Sequence, residues 1–342
     1  MMVLEPRPAL LALAPVAAAL ISAGLIVLLR PLLQRYALAR PNARSSHVTP
    51  TPQGGGIAVI AATALAASLI GLLGKPYPGE AIPAVLAAAT CLAAVGMIDD
   101  IRPIPVVPRL ALQFATIAIL LTSRPLQEPI LPAIPIALER GLLMVGLLWF
   151  VNLVNFMDGL DWMTVAEMLP MTAALAVFAW FGAAPTAVLS IALGLAGALV
   201  GFAPFNRPVA RLFLGDVGSL PIGLLTGWCL IELAGQHHLA AALLLALYYL
   251  ADATITLLRR MAKREPFWAA HRSHFYQRAT NNGFSVKKVV TEVCLLNLLL
   301  AGLAALSIAL ASPQIDAVAL AVGALAVTGL LVRFSRSPAP RV

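Results

Sequence analysis

Charge is scarce in this chain. Only 11% of its 342 residues are Asp, Glu, Lys or Arg, while 61% are hydrophobic and the mean hydropathy is +0.91. A soluble domain carries about a quarter charged residues, so that class is excluded and the chain reads as an integral membrane protein. Aromatic residues are scarce too, at 6%. The apolar residues come in runs of Ala, Leu, Val and Ile long enough for membrane helices, which need ~20 residues; a barrel would alternate polarity in ~10-residue strands. Cysteine is limited to Cys91, Cys229 and Cys294, all inside apolar runs without CxxC or metal spacing. They read as small buried hydrophobes.

What is present is a series of apolar runs separated by polar loops. Eleven helices are expected, near 9–29, 55–74, 81–98, 107–123, 134–153, 163–181, 185–204, 217–234, 239–258, 289–311 and 315–332, in one all-α polytopic domain spanning 1–342. The first run is preceded only by Arg7 and followed by Arg30, Arg35, Arg40 and Arg44. That is the reverse of a secretory signal, so it reads as a retained helix. With a periplasmic N-terminus and a cytoplasmic C-terminus, every Lys and Arg except Arg7, Lys75, Arg124 and Arg140 falls on an inward segment. Basic residues favour the cytoplasmic side of short loops. The net charge of +8 is thereby explained without a nucleic-acid partner.

The inward loops, near 40–54, 99–108, 152–162, 205–219 and 259–288, hold the unusual chemistry. Asp99 and Asp100 end the third span in GMIDDIRP, where aspartates oppose the helix dipole. In NLVNFMDGLDWM, Asn152, Asn155, Asp158 and Asp161 recur every third residue with no basic neighbour, and Gly159 is expected to break the helix between the aspartates. Two uncompensated carboxylates there suggest a nearby cation. Asp216 follows Gly215 in FLGDVGSLPIG, where glycines allow close approach to a ligand; Asp216 capping the helix is the plainer alternative. The segment RPNARSSHVTPTPQGGG adds Arg44 and His47, and its glycines suit a small-residue helix start. The largest loop carries eight basic residues with His271, Arg272 and His274. Histidines at i, i+3 share a helix face. A zinc site there lacks a third ligand at suitable spacing; a lipid-headgroup patch and a phosphate-binding cluster are the other readings. Five aspartates and a basic loop on one face suit Mg²⁺, which takes one or two carboxylates plus substrate phosphates.

In family order, PNxRSSHxxPTPxGGG, GxxDD, NxxNxxDGxD, FLGDxGSLxxG and HRxHxYQR cover nearly the whole chain. This set resembles the polyprenyl-phosphate N-acetylhexosamine-1-phosphate transferases, the glycosyltransferase 4 type, and is most similar to the subgroup that initiates O-antigen in lipopolysaccharide biosynthesis. The resemblance implies transfer of a sugar 1-phosphate from a UDP-N-acetylhexosamine to undecaprenyl phosphate, with UMP released and Mg²⁺ (or Mn²⁺) required, at the cytoplasmic face of a bacterial inner membrane. It implies a metal ligand at Asp216 and catalytic roles for Asp99, Asp100, Asp158 and Asp161. It places Asn152, Asn155, Arg44, His47, His271, Arg272 and His274 in substrate binding. Asp252, inside the ninth span, also matches a family position, without an assigned role.

The expected partners are undecaprenyl phosphate, a UDP-N-acetylhexosamine (6-deoxy sugars included), the lipid bilayer and a second copy in a homodimer. Two departures bear on the donor: DGLDGL here reads DGLDWM, with Trp162 in place of glycine, and HRSHFYQR replaces a His-rich loop. Both argue against the peptidoglycan precursor as donor. A transporter is the alternative reading, disfavoured because the acids gather at one face rather than near the midplane.

Overall fold

A computed structural model describes residues 8–39, 50–73, 81–123, 129–265 and 271–336. In chain order the helices are α1 (Pro8–Tyr36), α2 (Gly55–Leu73), α3 (Ile82–Ile101), α4 (Val106–Ser123), α5 (Ile136–Met157), α6 (Met163–Trp180), α7 (Thr186–Phe202), α8 (Asp216–Gly235), α9 (Leu239–Ala262), α10 (Phe275–Asn281), α11 (Val286–Leu310) and α12 (Pro313–Ser335). Ten of them are long and apolar enough to cross a membrane. The 17-residue α7 is the eleventh apolar helix expected from sequence, at the lower end of the spanning range. Among the described residues the all-α expectation holds apart from an antiparallel pair, β1 (Leu38–Ala39) with β2 (Thr51–Pro52), and an isolated bridge between Gln53 and Phe213.

Burial sorts the helices into a core and a lipid-facing shell. In α8, 89% of the apolar window is buried, against 22% in α4 and α12 and 28% in α1. Large exposed side chains such as Leu20, Leu28, Ile119 and Leu325 lie on those outer helices. Their exposure is what a hydrocarbon solvent requires. Close approach to α8 depends on small residues. A Cβ on Gly56 of α2 would lie 2.2 Å from the Gly218 Cα of α8, so this crossing needs glycine on α2. A Cβ on Gly218 would in turn lie 2.7 Å from the Gly56 Cα, so both glycines serve this crossing.

Buried acids inside the bundle have their own partners. Glu139 accepts from the backbone N–H of Ile130, at 2.5 Å, and of Leu131, and Glu167 accepts from the Asn297 amide. Neither belongs to the aspartate cluster below.

Candidate active site

Three helix ends meet: the C-termini of α3 and α5 and the N-terminus of α8. The two aspartates closing α3 diverge, as neighbours about 100° apart on a helix must. The Asp99 carboxylate accepts from the Ile104 N–H at 2.5 Å and from Arg109 Nη1 at 2.7 Å. The Asp100 carboxylate crosses to α8, accepting from the Asp216 N–H at 3.0 Å and the Val217 N–H at 3.1 Å. These are two of the orphan donors at a helix start. Asp100 thus caps α8 from another element, Gly215 is the formal N-cap, and Asp216 is not itself the cap. Asp216 is left facing the junction, where its carboxylate accepts from the Asn155 amide at 2.7 Å and lies 3.8 Å from Arg109. Asn155 also donates to the Ser219 hydroxyl at 2.9 Å.

Helix α5 runs through Asn155 and ends at Met157, with Asp158 as its C-cap. The break falls one residue ahead of the aspartate, not at Gly159. Gly159 is needed for a different reason: a Cβ there would lie 2.2 Å from the Tyr276 hydroxyl. The half-buried Asp158 carboxylate accepts from the Thr164 hydroxyl. Burial pushes its pKa up to about 7, against the Thr164 bond, with the charges of Asp100 and Asp161 adding to the rise. Asp161 turns the other way, accepting from the Ala210 N–H at 2.9 Å in the α7–α8 loop. Next to it, Trp162 adopts φ +64°, a conformation glycine supplies without strain. The tryptophan is held there by two bonds, its N–H to Asn206 Oδ1 at 2.8 Å and its indole N–H to the Ala203 carbonyl at 2.6 Å. Asn152 does not join this group. It is buried one turn deeper, and its amide donates to Gln113 of α4 at 2.7 Å.

The His-bearing loop docks on the same turn. His271 and His274 are not on a helix, as their spacing suggested. They precede α10, their rings stacked with centroids 4.9 Å apart. Asp252, fully buried in α9, organises them: it accepts from His274 Nδ1 at 3.2 Å and from the N–H groups of Phe275 and Tyr276 at 3.0 and 3.1 Å. The Tyr276 hydroxyl donates to the Phe156 carbonyl at 3.0 Å. Burial holds this phenol well above its ordinary pKa, keeping it a donor. The charge of Arg272 opposes that rise. Arg44 and His47 lie outside the described residues.

Sequence reading missed Arg109, the cation between Asp99 and Asp216, and left Asp252 without a role. Both carried a signal: each is a charged residue inside an otherwise apolar span. Gln113, one turn beyond Arg109, marks the same inward stripe.

Glycosyl transferase family 4 matches residues 82–234, the stretch that contains all five aspartates. Over 325 residues the chain is 30% identical to the decaprenyl-phosphate N-acetylglucosaminephosphotransferase of Mycobacterium leprae, covering 83% of this chain and 80% of the relative. It is 24% identical over 298 residues, 82% and 81% of the two chains, to a probable undecaprenyl-phosphate N-acetylglucosaminyl 1-phosphate transferase of Bacillus subtilis. A shorter match, 29% over 154 residues and under half of either chain, is to the phospho-N-acetylmuramoyl-pentapeptide-transferase of Chlamydia trachomatis. The chain belongs to this family, the polyprenyl-phosphate N-acetylhexosamine-1-phosphate transferases.

The donor set fits the divalent ion that the family implies. Asp99 and Asp216 present carboxylates to one another with the single guanidinium of Arg109 between them, and Asp158 and Asp100 add negative charge nearby. Among the described residues no group of three His, Cys, Asp or Glu side chains forms a complete metal cage. An oxygen-seeking ion held by one or two carboxylates, with water and phosphate as its other ligands, matches how Mg²⁺ binds.

Proposed function

We propose that this chain transfers N-acetylhexosamine 1-phosphate from a UDP-sugar to undecaprenyl phosphate, releasing UMP and initiating O-antigen or another surface glycan. The reaction takes place at the cytoplasmic face of a bacterial inner membrane, the side to which the basic loops assign the helix ends bearing Asp99, Asp158 and Asp216. One observation carries this reading: Asp99, Asp216 and Asn155 meet at three helix ends, with Asp158 near the charge of Asp100 and the His-bearing loop docked on the Asp158 turn, in a chain whose relatives are named for polyprenyl-phosphate acceptors. Acids placed at helix ends suit two anionic substrates arriving from an aqueous face better than solute passage through the midplane.

An oxygen of the lipid phosphate attacks the donor phosphorus that bears the sugar; the bond to the UMP oxygen breaks and its electron pair leaves with UMP. A phosphate monoester has a second pKa of about 6, so little deprotonation remains to be done at neutral pH. Asp158, titrating near the same pH, receives that last proton. Asp216 and Asp99 would hold Mg²⁺ (or Mn²⁺), which when bound neutralises phosphate charge. Arg109 offsets the carboxylates, and His271, Arg272 and His274 supply donors for the donor phosphates. Asp100 and Asp161 act by position, one holding the start of α8 and the other the α7–α8 loop. Trp162 and HRSHFYQR favour a donor other than the peptidoglycan precursor, 6-deoxy N-acetylhexosamines included.

Purified protein given undecaprenyl phosphate, Mg²⁺ and a panel of UDP-N-acetyl sugars tests this. Release of UMP with at least one donor is expected; release with none overturns the reading.

A further inference from the structure

The segment between Phe202 of α7 and Asp216 of α8 does more than deliver Asp216. Pro204, Arg207, Pro208, Val209 and Arg211 line a depression of about 270 Å³. Arg207 and Arg211 are exposed, and among the described residues neither forms an ion pair with a carboxylate. Val209, between them, is 77% exposed. Two prolines fix φ along the segment, so the guanidinium groups hang from a stiffened backbone with less freedom to lose on binding. The segment joins the ends of two apolar helices, which puts it where hydrocarbon gives way to headgroups. Paired arginines at that depth match a phosphate, and an exposed valine beside them matches the glycerol and acyl edge beneath it.

We propose that this depression binds the phosphate of an anionic phospholipid and that its occupancy steadies the DGLDW turn. Asp99, Asp158 and Asp216 do not line it, so the site is separate from the reacting groups. The two are linked by hydrogen bonds. The Ala210 N–H, adjacent to Arg211, donates to Asp161 at 2.9 Å. Asn206, adjacent to Arg207, accepts from the Trp162 N–H and donates to the Leu212 carbonyl at 2.9 Å. The indole of Trp162 holds the Ala203 carbonyl. Ordering the arginines therefore orders the backbone that fixes Asp161, two residues past Gly159 and three past Asp158. Only the turnover readout below rests on the sugar-phosphate transfer reading.

The full chain is reconstituted in phosphatidylcholine vesicles with and without phosphatidylglycerol, as wild type, as the Arg207→Gln/Arg211→Gln double variant and as the Arg207→Lys/Arg211→Lys double variant. Phosphatidylglycerol raises UMP release by the wild type about fivefold, the low end of usual site-to-site coupling. It leaves the glutamine variant unchanged, and the lysine variant keeps most of the response. Retention of phosphatidylglycerol through purification, high in wild type and lost in the glutamine variant, reads the binding without turnover. Equal stimulation or equal retention in wild type and glutamine variant overturns the proposal, as does replacement of the lipid by inorganic phosphate. A donor KM raised in the glutamine variant in phosphatidylcholine alone assigns the arginines to the donor and also overturns it. Absence of UMP release from every protein in every vesicle counts against the transfer reading, while the retention measurement still decides the lipid site.

Discussion

The ends of α3 and α5 each offer two aspartates, and the two pairs are built alike. In each pair the later residue is bound by backbone N–H groups of the segment around α8: Asp100 by Asp216 and Val217, Asp161 by Ala210. The earlier residue meets a side chain: Asp99 meets Arg109, besides the Ile104 N–H next to its own helix end, and Asp158 meets Thr164. One member of each pair fastens the site together, and the other carries the chemical role in the proposed reaction. The pairs differ in compensation. Asp99 has a guanidinium at 2.7 Å, whereas Asp158 has only a hydroxyl bond to set against its burial and the charges of Asp100 and Asp161, which together raise its pKa to about 7.

Substitutions separate the two roles by the size and kind of their effects. The largest effect is expected at Asp216, which belongs to neither pair and is fastened by Asp100: Asp216→Asn takes UMP release below detection while the protein inserts and melts normally. Next comes Asp158→Asn, a rate loss of about tenfold at neutral pH, short of the usual worth of a general base because the lipid phosphate has already shed most of its last proton there. In the wild type the rate should fall as pH drops through about 7, because the base is the ionised form. The same carboxyl has a folded pKa above its ordinary value, so its contribution to stability is greatest at low pH and is lost as pH rises through about 7. Asp158→Asn should flatten that drift in Tm. Smaller, and of a different kind, is Asp100→Ala, which strands two N–H groups at the start of α8. It should cost about 1–3 kcal/mol, read as a lowered Tm together with lost activity. Asp99→Asn should lower activity with little change in Tm; if both variants melt alike, the division of labour within the pair is wrong. The smallest is Tyr276→Phe, which removes one hydroxyl bond to Phe156 and should cost about 1 kcal/mol, seen mainly as a raised donor KM.

Much of the architecture was readable because lipid imposes a simple rule on length and polarity. Each of the eleven apolar runs is a helix, and the glycines ahead of α2 do begin it. The five aspartates were readable for the same reason, being acids where acids are costly. What each carboxylate holds was not, since it depends on contacts between distant segments. Asp100 and the α8 start it caps are 116 residues apart, and no spacing rule reaches that far. Asn152 illustrates the error: its place in an every-third series put it beside Asn155, yet Gln113 on another helix takes its amide. Asp252 illustrates the converse, an acid of no evident use in sequence that gathers three donors from the His-bearing loop. The left-handed turn at Trp162 was masked because its side chain, not a glycine, sustains the conformation.

In the proposed reaction phosphorus, and not the sugar alone, moves to the lipid at these carboxylates. A UDP-N-acetylhexosamine labelled with ³²P at the phosphate bearing the sugar tests it most directly. The label should pass entirely into the lipid diphosphate, with unlabelled UMP as the other product, and should stay on the donor when Asp216 is Asn. Labelled UDP as the product, or unimpaired transfer by the Asp216→Asn protein, would contradict the account.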